Sequence, residues 1–130
     1  MLNWINRKMK RKGFTLIEMV IVIAILGILI AIAVPRLAGF RDSAAKRADE
    51  ATAETIEKAA NLYVATYGDK GEDILVSKRE NPESFVETLR DANLVENDTP
   101  YTPQQEGKTF SINYDADGEF TVTVKDQPNP

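Results

Sequence analysis

Apolar and polar positions alternate with three different rhythms along this chain of 130 residues. From Phe14 to Val34 there is no rhythm at all. The run F-T-L-I-E-M-V-I-V-I-A-I-L-G-I-L-I-A-I-A-V has Glu18 as its only ionisable side chain. As a helix it spans roughly 30 Å, the thickness of a bilayer's hydrocarbon core. After Pro35 the pattern turns amphipathic. Ala44, Ala45, Ala48, Thr52, Ile56, Ala59, Leu62, Tyr63 and Thr66 recur at spacings of three and four, which predicts a continuing helix over 36–67 with a narrow, alanine-rich face. Arg41, Lys46, Arg47, Asp49, Glu50, Glu54, Glu57 and Lys58 are assigned to its solvated surface. The two stretches together predict a helix of roughly 50 residues, about 80 Å.

Gly68 is a helix stop, with Asp69-Lys70-Gly71 read as a loop. Ile74-Leu75-Val76, within 72–80, reads as a short strand or buried loop. Asn81-Pro82-Glu83 combines an N-cap, a proline at the first helical position and an acid in the first turn. It opens a short helix, Pro82 to Ala92, whose apolar face is Phe85, Val86, Leu89 and Leu94, with Asn93 closing it in a left-handed conformation. Asn97–Gly107 is a surface loop. In residues 108–125 the rhythm becomes two. Phe110, Ile112 and Tyr114 alternate with polar residues, as do Phe120, Val122 and Val124, around the turn Asp115-Ala116-Asp117-Gly118. This predicts an antiparallel hairpin packed on the alanine face and on Phe85 and Leu89, followed by an exposed tail, Gln127–Pro130. The fold class is α+β: a long N-terminal helix on a small antiparallel sheet.

Charge and composition narrow the function. Arg7, Lys8, Lys10, Arg11 and Lys12 precede the apolar run, which places the N-terminus in the cytoplasm. A secretory signal peptide has an apolar region of about 7–15 residues and a small-residue site after it. Here the run is longer, and Pro35-Arg36-Leu37-Ala38-Gly39-Phe40 offers no such site, so a retained membrane helix is expected. The chain has neither Cys nor His, so no disulfide, thiolate metal site or histidine general base is available. No nucleophile–base pair and no phosphate-binding glycine loop stand out, and neither an enzyme nor a cofactor is expected. The formal net charge of −4 argues against a nucleic-acid surface.

Three features invite chemistry. Glu18 costs on the order of 2–3 kcal/mol at membrane depth. It either stays hydrated at the cytoplasmic surface or, in a dry helix bundle, finds a cation. Gly27 and Pro35 weaken the helix, either as an ordinary small residue and a kink at the membrane exit or as the bounds of a flexible segment. Asp115, Asp117 and Glu119, with Asp126 beyond, suggest a calcium loop. The strand-like alternation of Phe120–Lys125 cannot wrap an ion, and a hairpin turn with solvated acids is the default. Phe14, Phe40, Tyr63 and Tyr67 are read as packing residues.

Lys12, Gly13, then Phe14-Thr15-Leu16-Ile17-Glu18 set against an unbroken apolar helix resembles the class III signal of type IV pilins and pseudopilins. The resemblance is close from Lys12 to Pro35 and looser through the next helix. It implies a pilin-like fold. It also implies cleavage by a prepilin peptidase between Gly13 and Phe14, and N-methylation of the new N-terminal Phe14. The Glu18 carboxylate then pairs with the Phe14 ammonium, of a neighbouring subunit or of its own chain. Loss of Met1–Gly13 removes five positive charges, taking the side-chain total from −4 to −9. The implied layout is a leader at 1–13, a transmembrane and polymerisation helix at 14–35, its amphipathic continuation at 36–67 and a small α+β head at 68–130. In the family, the segment between such a Gly and Pro unwinds on packing, here Gly27–Pro35. The implied partners are copies of the chain in a helical filament, the prepilin peptidase, an assembly platform with its ATPase, and membrane lipid before assembly. The chain then moves from a single-pass membrane protein to an extracellular pilus. Many Gram-negative pilins close their C-terminal region with a disulfide, and this chain departs from that pattern. The alternatives are a pseudopilin of a type II secretion or DNA-uptake system and an uncleaved single-pass receptor or sensor.

Overall fold

The structure, a computed structural model, describes residues 13–128. Its elements are α1 (Leu16–Lys78), α2 (Pro82–Asp91), β1 (Lys108–Tyr114) and β2 (Phe120–Asp126). By their contacts the residues fall into two compact units, 1–39 and 40–130. In the first, the described part is three non-helical residues and then helix, and its apolar side chains are all exposed. The second holds the hydrophobic core.

Two expectations for α1 need correction. Gly68 does break the helix, with φ 63° and ψ −148°, a conformation open in practice only to glycine. The chain does not loop there, however. It resumes helical geometry through Asp69-Lys70-Gly71 and on to Lys78, so Ile74-Leu75-Val76 is a helical turn rather than a strand. The reason lies in packing. Gly71 is buried so tightly that a Cβ on it would stand 2.7 Å from the Tyr67 Cβ. Leu75, one turn later, is fully buried. These two positions dock the short second segment, and one reversed residue is enough to aim it.

The buried face of α1 is also rotated from the expected one. Ala53, Ile56, Ala59, Ala60 and Tyr63 line the core, while Ala44, Leu62 and Thr66 face outward. Asp49, assigned from sequence to the solvated surface, is 2 % exposed. The sheet and loop settle the matter, because they cover one side of the helix and its periodicity alone allows several.

The short helix follows its signals. The Asn81 side chain accepts a hydrogen bond from the Ser84 amide (3.3 Å), and Pro82 sits at the start. Phe85, Val86 and Leu89 are buried. Asn93 turns left-handed (φ 56°), so that the Leu94 amide donates back to the Leu89 carbonyl (3.0 Å).

The hairpin is antiparallel, with Phe110 opposite Val124, Ile112 opposite Val122 and Tyr114 opposite Phe120. Gly118 (φ 83°) donates to the Asp115 carbonyl (3.2 Å) to close the turn. Phe110, Ile112, Phe120 and Val122 point into the core, where the Phe120 ring meets Phe85 edge-on with centroids 5.4 Å apart. As expected, the hairpin packs with α1 and with Phe85 and Leu89 in one cluster.

A two-stranded sheet is marginal alone. Here α1 supplies polar side chains that satisfy backbone groups of β2. Asn61 accepts from the Phe120 amide (2.8 Å) and donates to its carbonyl (3.1 Å), and Glu57 accepts from the Val122 amide (3.4 Å). The loop after α2 is held in the same way. Asp49 accepts from the Gln104 amide (2.6 Å), the Gln105 amide (3.0 Å) and the Gln105 side chain (2.9 Å). Arg90 donates to the Thr99 carbonyl (3.0 Å).

Candidate functional site

Gly13, Phe14 and Thr15 precede the first helical residue and are exposed. Thr15 acts as N-cap. Its hydroxyl accepts from the Glu18 amide (3.3 Å), and its carbonyl accepts from the Met19 amide (3.2 Å). The local sequence Thr15-x-x-Glu18 is a capping-box pattern, and an acid in the first turn suits the positive end of the helix dipole. The residues after it propagate helix because nothing polar competes for the backbone. The bond between Gly13 and Phe14 therefore lies in non-helical, accessible chain immediately ahead of a well-started helix.

Phe14 and Glu18 sit one turn apart on exposed chain, and the described hydrogen bonds include none between them. Phe14 here carries a peptide nitrogen and no ammonium. Gly27 lies within the helix, and a Cβ there would have nothing within 4 Å, so no contact among the described residues requires glycine. Pro35 is also inside α1, and Gly68 is the non-helical residue recorded in that helix. The proline removes the donor that the Ala31 carbonyl would otherwise use. The basic flank Arg7–Lys12 lies outside the described residues.

The acid cluster has a structural occupation. One Asp115 carboxylate oxygen accepts from the Asp117 and Glu119 amides, both at 3.0 Å, and so closes the hairpin turn from within. Among the described residues no group of three or more acids is gathered as metal ligands would be. Of the aromatics, Tyr63 is buried and stacks on Tyr67 (centroids 4.5 Å), whereas Phe14 and Phe40 lie exposed. A groove of about 740 Å³ lies along β1, between Arg79, Glu80 and Pro82 on one side and Lys125–Pro128 on the other. Its lining includes neither His nor Cys.

Sequence reasoning missed the inward use of Asp49, Glu57 and Asn61. The signal was their position one or two turns from Ala53, Ile56 and Ala60 on the same side of the helix.

The comparisons with known proteins bear on the same stretch. Residues 8–34 match the prokaryotic N-terminal methylation motif. Over 104 residues the chain is 38 % identical to the type IV narrow pilus major component PilA5 of Thermus thermophilus, covering 80 % of this chain and 88 % of that protein. The chain belongs to the type IV pilin and pseudopilin family. Other relatives match over a shorter stretch. The type II secretion system core protein G of Vibrio cholerae is 37 % identical over 79 residues, 57 % of this chain and 54 % of that protein. The prepilin peptidase-dependent protein A of Clostridium perfringens is 32 % identical over 60 residues, 46 % of this chain and 43 % of that one. The chain therefore spans about half the length of those two relatives and most of the first. No solved structure gives a significant match. The first of these relatives is a pilus component and the second a secretion-system core protein, and the described fold, a long apolar helix with a small two-stranded sheet, is the α+β arrangement expected of the family.

Proposed function

We propose that the chain is a type IV pilin, a structural subunit that a prepilin peptidase cuts between Gly13 and Phe14 and that polymerises through its apolar helix into an extracellular pilus. Phe14 is the residue methylated, and 14–35 is the segment that leaves lipid for the fibre. The amphipathic stretch 36–67 and the head 68–130 follow it. Before assembly the chain is anchored with its N-terminus in the cytoplasm, and it is delivered by an assembly platform with its ATPase. The observation that carries this reading is the helix from Leu16 to Val34: fourteen large apolar side chains, each at least 38 % exposed, with one carboxylate at its start. Such a surface needs lipid or other helices around it.

In that setting Glu18 has a specific task. Once Gly13 is removed, Phe14 presents an amine that can carry a positive charge, and in a dry bundle the carboxylate of one subunit attracts it on the next. This fixes the axial register. The chain segment between Gly27 and Pro35 is the place where the helix yields if packing demands it.

Intact-mass measurement of the membrane-bound protein tests the reading: the expected product has lost Met1–Gly13 and gained one methyl group, and a mass equal to the whole chain excludes it. Replacing Glu18 with Ala should leave insertion intact and lower fibre yield; an unchanged yield rejects the register role. A pseudopilin is the second reading, favoured by the likeness to secretion protein G. Electron microscopy of the cell surface separates them, because a pilin is the bulk component of long fibres.

A further inference from the structure

Charge is unevenly placed within the unit 40–130. At the start of its helix Arg41, Lys46 and Arg47 are exposed, with Asp42 the single acid among residues 40–47. About 40 Å further along, at about 1.5 Å per residue, the helix reaches Gly68 and the sign reverses. Asp69, Glu72 and Asp73 lie there, with Lys70 the one cation between them. Tyr114 joins this segment to the hairpin turn: its hydroxyl lies near enough to the Glu72 carboxylate for its pKa to be raised by it, and 3.4 Å from where a Cβ on Gly118 would stand. The turn adds Asp115, Asp117 and Glu119, all exposed. The two salt bridges among the described residues, Glu54–Lys58 and Lys108–Asp126, use none of these groups.

We propose that the Arg41–Lys46–Arg47 surface receives the acidic end of a second copy of this chain, so that heads dock end to end. Charge complementarity selects this occupant. Two copies side by side without offset oppose like charges, whereas copies displaced by the length of the helix bring opposite ends together. The two surfaces differ, so the contact is heterologous and propagates instead of closing into a pair. The inference rests on the subunit reading and adds a polar contact between heads to the apolar one between helices. Exposed ion pairs are individually weak and are screened by salt, so the contact depends on several acting together and loosens as ionic strength rises.

The test uses the full chain expressed in its cell. One variant carries Arg41→Glu, Lys46→Glu and Arg47→Glu. A second carries Asp73→Lys, Asp117→Lys and Glu119→Lys, which spares Asp115, the cap of the turn, and Glu72. A third combines both sets. Each set alone is expected to lower sheared-fibre yield roughly tenfold, through opposed like charges, and the combination to restore it. Leader removal, read by mass, should be unchanged in all. Wild-type fibre yield in either single set, or no recovery in the combination, overturns the proposal. So does loss of the membrane-bound form in the cationic-surface variant alone, which would identify an anionic lipid as the partner. A wild-type chain that is never processed and forms no fibre defeats the subunit reading itself and is distinguished by that mass.

Discussion

Leu16–Val34 and Asp49–Leu75 are stretches of one helix with opposite fates. The first leaves Leu, Ile and Val exposed at every position around the helix; the second buries Ile56, Ala60 and Leu75 almost completely and leaves most of its charged residues exposed, with Asp49 and Glu57 turned to the loop and the sheet. Residue type is not the difference, since both contain aliphatic side chains in helical geometry. The second has a sheet and a short helix laid over one side, and the first has no partner among the described residues. Burying one large aliphatic side chain is worth about 1.5–3 kcal/mol, so leaving fourteen in water costs on the order of 30 kcal/mol. A whole domain's net stability is only about 5–15 kcal/mol. The contrast teaches that the apolar helix is half of an interface whose other half is supplied from outside the chain.

The sharpest test of that contrast substitutes one residue in each region and reads the same unfolding curve. Phe85→Ala removes a fully buried ring stacked edge-on with Phe120, and the head should lose about 3–5 kcal/mol in urea denaturation. Ile25→Ala should leave that curve within about 0.5 kcal/mol, because its side chain is exposed and lies outside the head's core. Equal losses would mean that the apolar helix stabilises the head.

A smaller effect is expected where the head uses polarity inwardly. Asp49→Ala strands two backbone amides and the Gln105 side chain, and should cost about 2–3 kcal/mol, with faster amide exchange at Gln104 and Gln105. A surface carboxylate, which sequence alone made of Asp49, would cost almost nothing.

The smallest effect concerns pH. The Glu72 carboxylate accepts the Tyr114 hydroxyl proton and pushes that phenol up to about 12 from its usual 10. Folding favours the protonated form, so the contact is fully present below pH 10 and is lost as the pH rises from 10 to 12. An ultraviolet titration should show a tyrosine ionising near pH 12, and Glu72→Gln should bring it down towards 10.

Much of this was legible in the order of residues. The apolar run, the cap at Asn81, the left-handed Asn93 and the alternating hairpin all rest on local rules: side-chain periodicity, a missing amide proton at Pro82, a short polar side chain that tolerates positive φ. Gly68 was legible as a break but not as a bend. Whether a helix stops or resumes depends on what lies beyond, here the closeness of Gly71 to Tyr67 and the pocket for Leu75.

The sequence by itself determined where the helix is too apolar for water, where its one carboxylate sits and which peptide bond precedes it, because hydropathy and local backbone preference act within a few residues. Only the tertiary structure decided which side of the amphipathic helix is covered, and hence that Asp49, Glu57 and Asn61 serve the loop and the sheet. A helix offers every side equally until another element, distant in sequence, removes water from one of them.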